Sequence, residues 1–254
     1  MQLKHQPNLK TGYNKIIGPE NNLNYIEEFG ILSLKPGSVF EGSSQNTETA
    51  LVVLRGSCGV EAGEKNFEKV GQRENLFEGN PATIYIPAGL DFDISGGPCQ
   101  IAICKAKSSK RGEPVLISPE QVVIKDSGKD NWSREVRIMI GPETISQNLI
   151  IGETINPPGN WSGTPPHKHD NEELYYFYCS KPEGWGVERI YSEDRTTDEL
   201  IKLKDNTVTI MPKEHYHQIV AGPGYTIYYL WFIAGKDNKL NALEDPKHNW
   251  IKGE

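Results

Sequence analysis

Runs such as ALVVLRG (residues 50–56), PATIYIPAG (81–89) and IAICKA (101–106) set the strongest limit on what this chain can fold into. Each is short, rich in Val, Ile, Leu or Tyr, and stopped by Gly, Pro or a charge, which is the pattern of strands buried in a sandwich and not of helices. No long amphipathic run occurs. With 25 Gly and 17 Pro in 254 residues, turn formers punctuate the chain from end to end, so the expected class is all-β. That length accommodates one large domain or two small ones.

Charge and cysteine usage narrow the function. A net charge of −7 argues against a nucleic-acid partner, because phosphate binding rests on clusters of Lys and Arg. The four cysteines, Cys58, Cys99, Cys104 and Cys179, form no C-x-x-C pair and read as reduced, buried thiols. The start MQLKHQ has no apolar core of the kind a secretion signal needs, and no apolar run is long enough to span a bilayer. The expectation is a cytoplasmic protein with no membrane partner.

Two parts of the chain repeat one another in outline. Leu34 to Ala106 and Ile155 to Gly235 each carry a strand, a Pro-Gly turn, a second strand run, a Gly-rich hairpin, a Pro-containing turn and a closing strand. Such an order fits a double-stranded β-helix, or jelly roll, used twice. Residues 1 to about 24 read as an irregular arm, and the Lys-, Ser- and Gly-rich stretch 107–135 as the join. The division expected is an N-terminal barrel at 1–130 and a C-terminal barrel at 131–254.

Chemistry concentrates in the second part. PPHKHDNEELYYF (165–177) is answered by PKEHYH (212–217), and four of the six histidines fall in these two H-x-H pairs. Side chains alternate faces along a strand, so His167, His169 and Glu173 point one way if the run is extended. His217, from a neighbouring strand, adds a third imidazole. Three nitrogens and one oxygen suit one divalent transition metal, Mn, Zn, Fe, Co or Ni, with coordination positions left for a small molecule. The first part has Glu48 or Thr49 at the place of Glu173, no H-x-H, and Leu90-Asp91-Phe92 where a histidine is needed, so it is expected to bind no metal. His5 and His248, near the chain ends, read as solvated.

The H-x-H-x3-E pattern followed by a Pro-turn-His segment is that of the cupins. Together with EELYYFYCSKPEGWGVERIYSEDRTTDE, PGYTIYYLWFIAG and DPKHNW, it makes the chain resemble the bicupin 5-deoxy-glucuronate isomerase family of myo-inositol breakdown. The resemblance is strongest from Arg137 to Trp250. It implies a bicupin fold, an aldose–ketose isomerase acting on 5-deoxy-D-glucuronate, metal ligands at His167, His169, Glu173 and His217, and assembly as a homo-oligomer. PKEHYHQ and Trp231 depart from the family's usual pattern and leave a related hexuronate or deoxy-uronate open as substrate. A cupin dioxygenase and a sugar-binding module are the other classes that fit.

Aldose–ketose exchange moves a proton between adjacent carbons through an enediolate, and so needs acid–base groups beside the metal. Glu172, Tyr175, His215 and Tyr229 are the candidates. Tyr175 shares the parity of Glu173 and should face the cavity, whereas Glu172 should face away. A small sugar-acid substrate calls for a guanidinium fork for its carboxylate. Arg189 is the first choice, ahead of Arg137 and Lys213. Lys168, between two ligands, should lie on the opposite face.

Overall fold

Strand Ile227–Ala234 (IYYLWFIA) is buried at every position, because each of its two faces meets a different core. Ile227, Tyr229, Trp231 and Ile233 turn into the C-terminal barrel, while Tyr228, Leu230, Phe232 and Ala234 turn toward the N-terminal one. Its neighbour Glu172–Cys179 does the same. Tyr175, Phe177 and Cys179 face the barrel interior, and Leu174 and Tyr176 face the other half. Continuous apolar runs are what two covered faces demand. The computed structural model, which describes residues 2–253, is thus built from two β-barrels set face to face.

The C-terminal barrel consists of a seven-stranded and a five-stranded sheet. The larger has Glu172–Cys179 and Ile227–Ala234 at its centre. The smaller contains Gly186–Tyr191, Tyr216–Ala221 and Trp161–His169 in adjacent positions. The N-terminal barrel is one eight-stranded sheet, whose strands Thr47–Ala62 and Asp91–Lys107 run 16 and 17 residues and serve both walls. Among the described residues, no helix is long and apolar enough to cross a membrane.

The interface between the halves is apolar, with Phe29, Ile31, Ala50, Val52, Ala102 and Cys104 packed against Leu174, Tyr176, Tyr228, Leu230 and Phe232. Each large apolar side chain among these, such as Phe29, Ile31, Leu174 or Phe232, contributes roughly 1.5–3 kcal/mol when fully buried. Two carboxylates fasten it reciprocally. Glu172 accepts from the backbone N–H groups of Asn24, Tyr25 and Ile26 at 2.6, 2.8 and 3.0 Å. Glu48 accepts from those of Gln147, Asn148 and Leu149 at 2.8, 2.6 and 2.8 Å. In register Glu48 lies opposite Ala106, as Glu172 lies opposite Ala234. Glu48 is therefore the counterpart of Glu172, and Thr49 that of Glu173. Glu153 adds a buried ion pair, bound by Arg73 at 2.8 and 2.9 Å and by Arg137 at 3.1 Å.

Two boundaries differ from the sequence expectation. The arm is not irregular, since Gly12–Ile17 pairs with Ile26–Leu34 in the first barrel, and Lys4–His5 pairs with Thr209 and Val208 of the second. Val115–Ile117 hydrogen-bonds to the first barrel, but Val123–Ser127 pairs with Arg134–Ile140 of the second. The crossover therefore falls at 118–122, ahead of the expected break between 130 and 131. The strand 123–127 is an edge with little burial, so it carries none of the apolar pattern that marks a core strand.

If the carboxylate clasps carry the interface, Glu48→Ala lowers the unfolding free energy by about 3 kcal/mol or more, because three buried N–H donors lose a charged acceptor. Urea unfolding of Glu48→Ala against the parent checks this, and the metal content of the folded variant should not change.

Candidate metal centre

Strands Trp161–His169 and Tyr216–Ala221 set His167 directly opposite His217. His169 follows on the same face, and Glu173 enters from the larger sheet after the turn at Asp170-Asn171. The three imidazole rings lie 4.7, 4.9 and 5.7 Å apart, centre to centre, and one ring nitrogen from each falls within 4.8 Å of the others. Glu173 Oε2 stands 3.2 Å from His217 Nε2 and 3.5 Å from His169 Nε2. Donors bound to a common ion at about 2.1 Å are separated by about 3–4 Å, so small inward movements complete the set.

The protonation states suit an ion. Each Nδ1 points at a backbone carbonyl, of Pro165, Asn241 and His215, at 3.4, 3.4 and 3.5 Å. Those carbonyls favour the Nδ1–H tautomer and leave each Nε2 lone pair for a metal. Burial pushes all three imidazoles down to about 4, so they are neutral at physiological pH, the state in which imidazole ligates. Glu173 is buried and its Oε2 has no hydrogen-bond donor. An orphaned carboxylate oxygen among three unprotonated nitrogens is what a divalent cation satisfies, and the residues present fit one.

Beside this cluster lies a cavity of about 180 Å³ lined by Arg134, Thr154, Ser162, Tyr175, Tyr229 and Trp231. That is below the range of about 300–1,000 Å³ usual for drug-sized ligands and suits a compact one. Tyr175 Oη is 3.0 Å from His217 Nε2, and its ring packs 4.8 Å from that of Tyr229. The hydroxyls of Tyr229 and Ser162 share a very short hydrogen bond. Burial holds both phenols above their ordinary value. Trp231 walls the cavity because the residue opposite it is Gly152, where any Cβ would collide with the indole.

The chain belongs to the KduI/IolB family. The family match covers residues 4–251. A 5-deoxy-glucuronate isomerase of Bacillus licheniformis is 34% identical over 243 residues, spanning 91% of this chain and 89% of its own length. Among solved structures, an IolB-like protein from Salmonella typhimurium LT2 superposes with a TM-score of 0.94 at 28% identity, over 99% of this chain and all of that one. An oxalate decarboxylase from Lactobacillus farciminis, 12% identical, gives a TM-score of 0.72 over 100% of this chain and 91% of its own. At that identity the likeness concerns the fold alone. The architecture is the bicupin expected of the family.

The structure brings His167, His169, Glu173, His217, Tyr175 and Tyr229 together and leaves other candidates outside this KduI/IolB site. Arg189 is the main correction. It sits on the outer face of Gly186–Tyr191, where Asp198 holds it through two bonds of 2.8 and 2.7 Å, because position 188 and not 189 has inward parity. Arg137 is spent on Glu153 in the interface. Lys213 is exposed, and His215 turns its Nδ1 to the Lys213 carbonyl at 3.1 Å. Lys168 lies on the outer face as expected, pairing with Glu193 and Glu214 at 2.9 Å. His5 and His248 are half-buried, not solvated.

Two residues of the barrel interior escaped the sequence reading. Arg134 shares the parity of Val136 and Ile138, which pack on the barrel core, and falls within the stretch 107–135 that reads as the join. Glu188 is fully buried with neither carboxyl oxygen partnered. Burial and the neighbouring Glu173 raise it from 4.5 to about 8, against a nearby Thr209 hydroxyl that lowers it. Its proton is therefore retained in the folded chain and released in the unfolded one between these values. In the chelator-treated protein, stability should fall as pH rises through that window, the Glu188 share approaching 1.4 kcal/mol per unit. Glu188→Gln should flatten the profile, read from urea midpoints at pH 5.5 to 8. Separately, His169→Ala or His217→Ala should abolish stoichiometric metal, counted by plasma mass spectrometry on protein purified without chelators.

Proposed function

We propose that this chain is a metal-dependent aldose–ketose isomerase that converts 5-deoxy-D-glucuronate to 2-deoxy-5-keto-D-gluconate. The observation that carries the proposal is the convergence of three neutral imidazoles and an unpartnered carboxylate beside a small cavity furnished with two buried phenols. Curated relatives bearing the name 5-deoxy-glucuronate isomerase supply the substrate. Four free, buried thiols support a cytoplasmic setting.

His167, His169, Glu173 and His217 would hold the ion. A bound divalent ion supplies Lewis acidity, lowering the cost of the negative charge that an enediolate develops. The protein's own groups handle protons. His217 Nε2 has a single lone pair, so once that pair is committed as a ligand it no longer accepts from Tyr175. The Tyr175 O–H, 3.0 Å away, is then free to donate to a substrate oxygen. Tyr229 reaches the same cavity and is steadied by Ser162. Because burial keeps both phenols protonated, they serve as hydrogen-bond donors to the two substrate oxygens, and neither is the base that takes the carbon-bound proton. Buried walls of Trp231 and Ile233 exclude bulk water from a charge-developing reaction.

Metal-reconstituted protein should convert 5-deoxy-D-glucuronate with loss of the aldehyde and gain of the ketone resonance in NMR, and without oxygen uptake. Turnover confined to glucuronate or galacturonate moves the substrate to a hexuronate, and oxygen consumption moves the reaction to a dioxygenase. Tyr175→Phe should lower kcat by about 100-fold with KM little changed, as loss of a proton donor used in the transition state does. Chelation should abolish turnover, and readdition of a divalent ion should restore it.

A further inference from the structure

We infer that the Arg134 guanidinium binds the substrate carboxylate, and that this contact makes the site select sugar acids over neutral aldoses. The inference rests on the isomerase reading above and adds the group that recognises the acid end. Arg134 is the one Lys or Arg among the residues lining the metal-side cavity. It shares that lining with His167, His169, Glu173, Tyr175 and Tyr229, the residues of the metal cluster and the two phenols.

Its place in that lining singles it out, and its hydrogen-bonding state leaves it free to act there. Nη1 donates to the Trp132 carbonyl at 3.2 Å, which anchors one corner of the guanidinium. Nε is buried and has no acceptor. Arg189 is neutralised by Asp198, Arg137 and Arg73 by Glu153, and Lys168 by Glu193 and Glu214, and Lys213 is exposed outside the cavity lining. Arg134 has no carboxylate within ion-pairing distance among the described residues. With Nη1 tethered, the Nε–Nη2 edge, the one through which a guanidinium takes a carboxylate side-on, has no protein acceptor among the described residues. Arg189 uses that same edge on Asp198, through Nε at 2.8 Å and Nη2 at 2.7 Å.

The backbone is shaped to hold this guanidinium. Gly128 has a φ of +84°, and a Cβ there would collide with the Trp132 carbonyl and come within 2.8 Å of Arg134 Nη1. The short turn Asp130–Trp132 follows, and Ser133 is fixed by Asn160, whose side-chain amide donates to the Ser133 carbonyl at 2.8 Å. Asn160 immediately precedes the strand that carries His167 and His169. The Arg134 backbone and the metal cluster therefore share one framework.

The test compares parent, Arg134→Gln, Arg134→Lys and Arg134→Ala, all metal-loaded, on 5-deoxy-D-glucuronate and on its uncharged methyl ester. For the uronate, Arg134→Gln should raise KM by about 100-fold, the loss expected when a buried charge pair is broken, with Arg134→Lys intermediate. On the ester, parent and Arg134→Gln should agree within about threefold, and added guanidinium ion should restore uronate affinity to Arg134→Ala, neither of which a merely structural role produces. An unchanged KM, or equal losses on uronate and ester, overturns the inference. Calorimetry of D-glucuronate against D-glucose separates it from the isomerase reading. If the parent turns over no uronate, that reading falls, while glucuronate binding that is lost in Arg134→Gln still upholds carboxylate recognition, and binding that is absent in the parent or kept in the variant refutes it.

Discussion

Adjacent carboxylates on one strand do opposite work, and the rest of the molecule is arranged so that they can. At the start of Glu172–Cys179 the two-residue period of an extended chain sends Glu172 across the interface, onto three N–H groups of the first half, and Glu173 into the second barrel among three imidazoles. A slip of one residue would break this division. Moved one way it would set Leu174 among the imidazoles in place of Glu173, and moved the other way it would set Asn171 at the interface in place of Glu172. Register along this strand is held by pairing along its whole length with Ile227–Ala234 and from Glu173 to Tyr176 with Val208–Met211.

Parity explains most of what was legible beforehand. The all-β class, the repeated barrel and the convergence of His167, His169, Glu173 and His217 follow from short apolar runs, from turn formers and from the odd numbering of these residues. The same count turns Tyr175 into the cavity and Glu172 away from it. Arg189 was chosen for its chemistry, although its neighbour Glu188 is the inward residue. Arg134 was passed over because the exposed hairpin partner Val123–Ser127 gave no apolar signal to mark where the second sheet begins. The Glu48 and Glu172 clasps were invisible for another reason, since each joins a carboxylate to backbone groups about a hundred or more residues away.

The first barrel keeps the framework without the chemistry. Thr49, at the place of Glu173, is buried with its hydroxyl unpartnered, and the surrounding cluster is apolar, with Leu51, Val53, Ile84, Ile86 and Ile103 in it. An interior of that kind cannot stabilise an ion, but it packs densely and supports the sheet on which the catalytic barrel leans. The site-bearing barrel can then carry strained or unsatisfied groups such as Glu188 and Glu173, because stability is drawn from the whole two-barrel body.

The reciprocal clasps also bear on how far the two barrels are separable. Each half presents to the other a full apolar sheet face, a carboxylate that needs three donors, and three donors that need a carboxylate. Severed at the crossover, neither fragment could satisfy those groups from its own sequence, and both would expose a broad sticky plane to water. The pair therefore amounts to a single cooperative folding unit in spite of its internal repeat, and the metal centre inherits its rigidity from residues that never approach it.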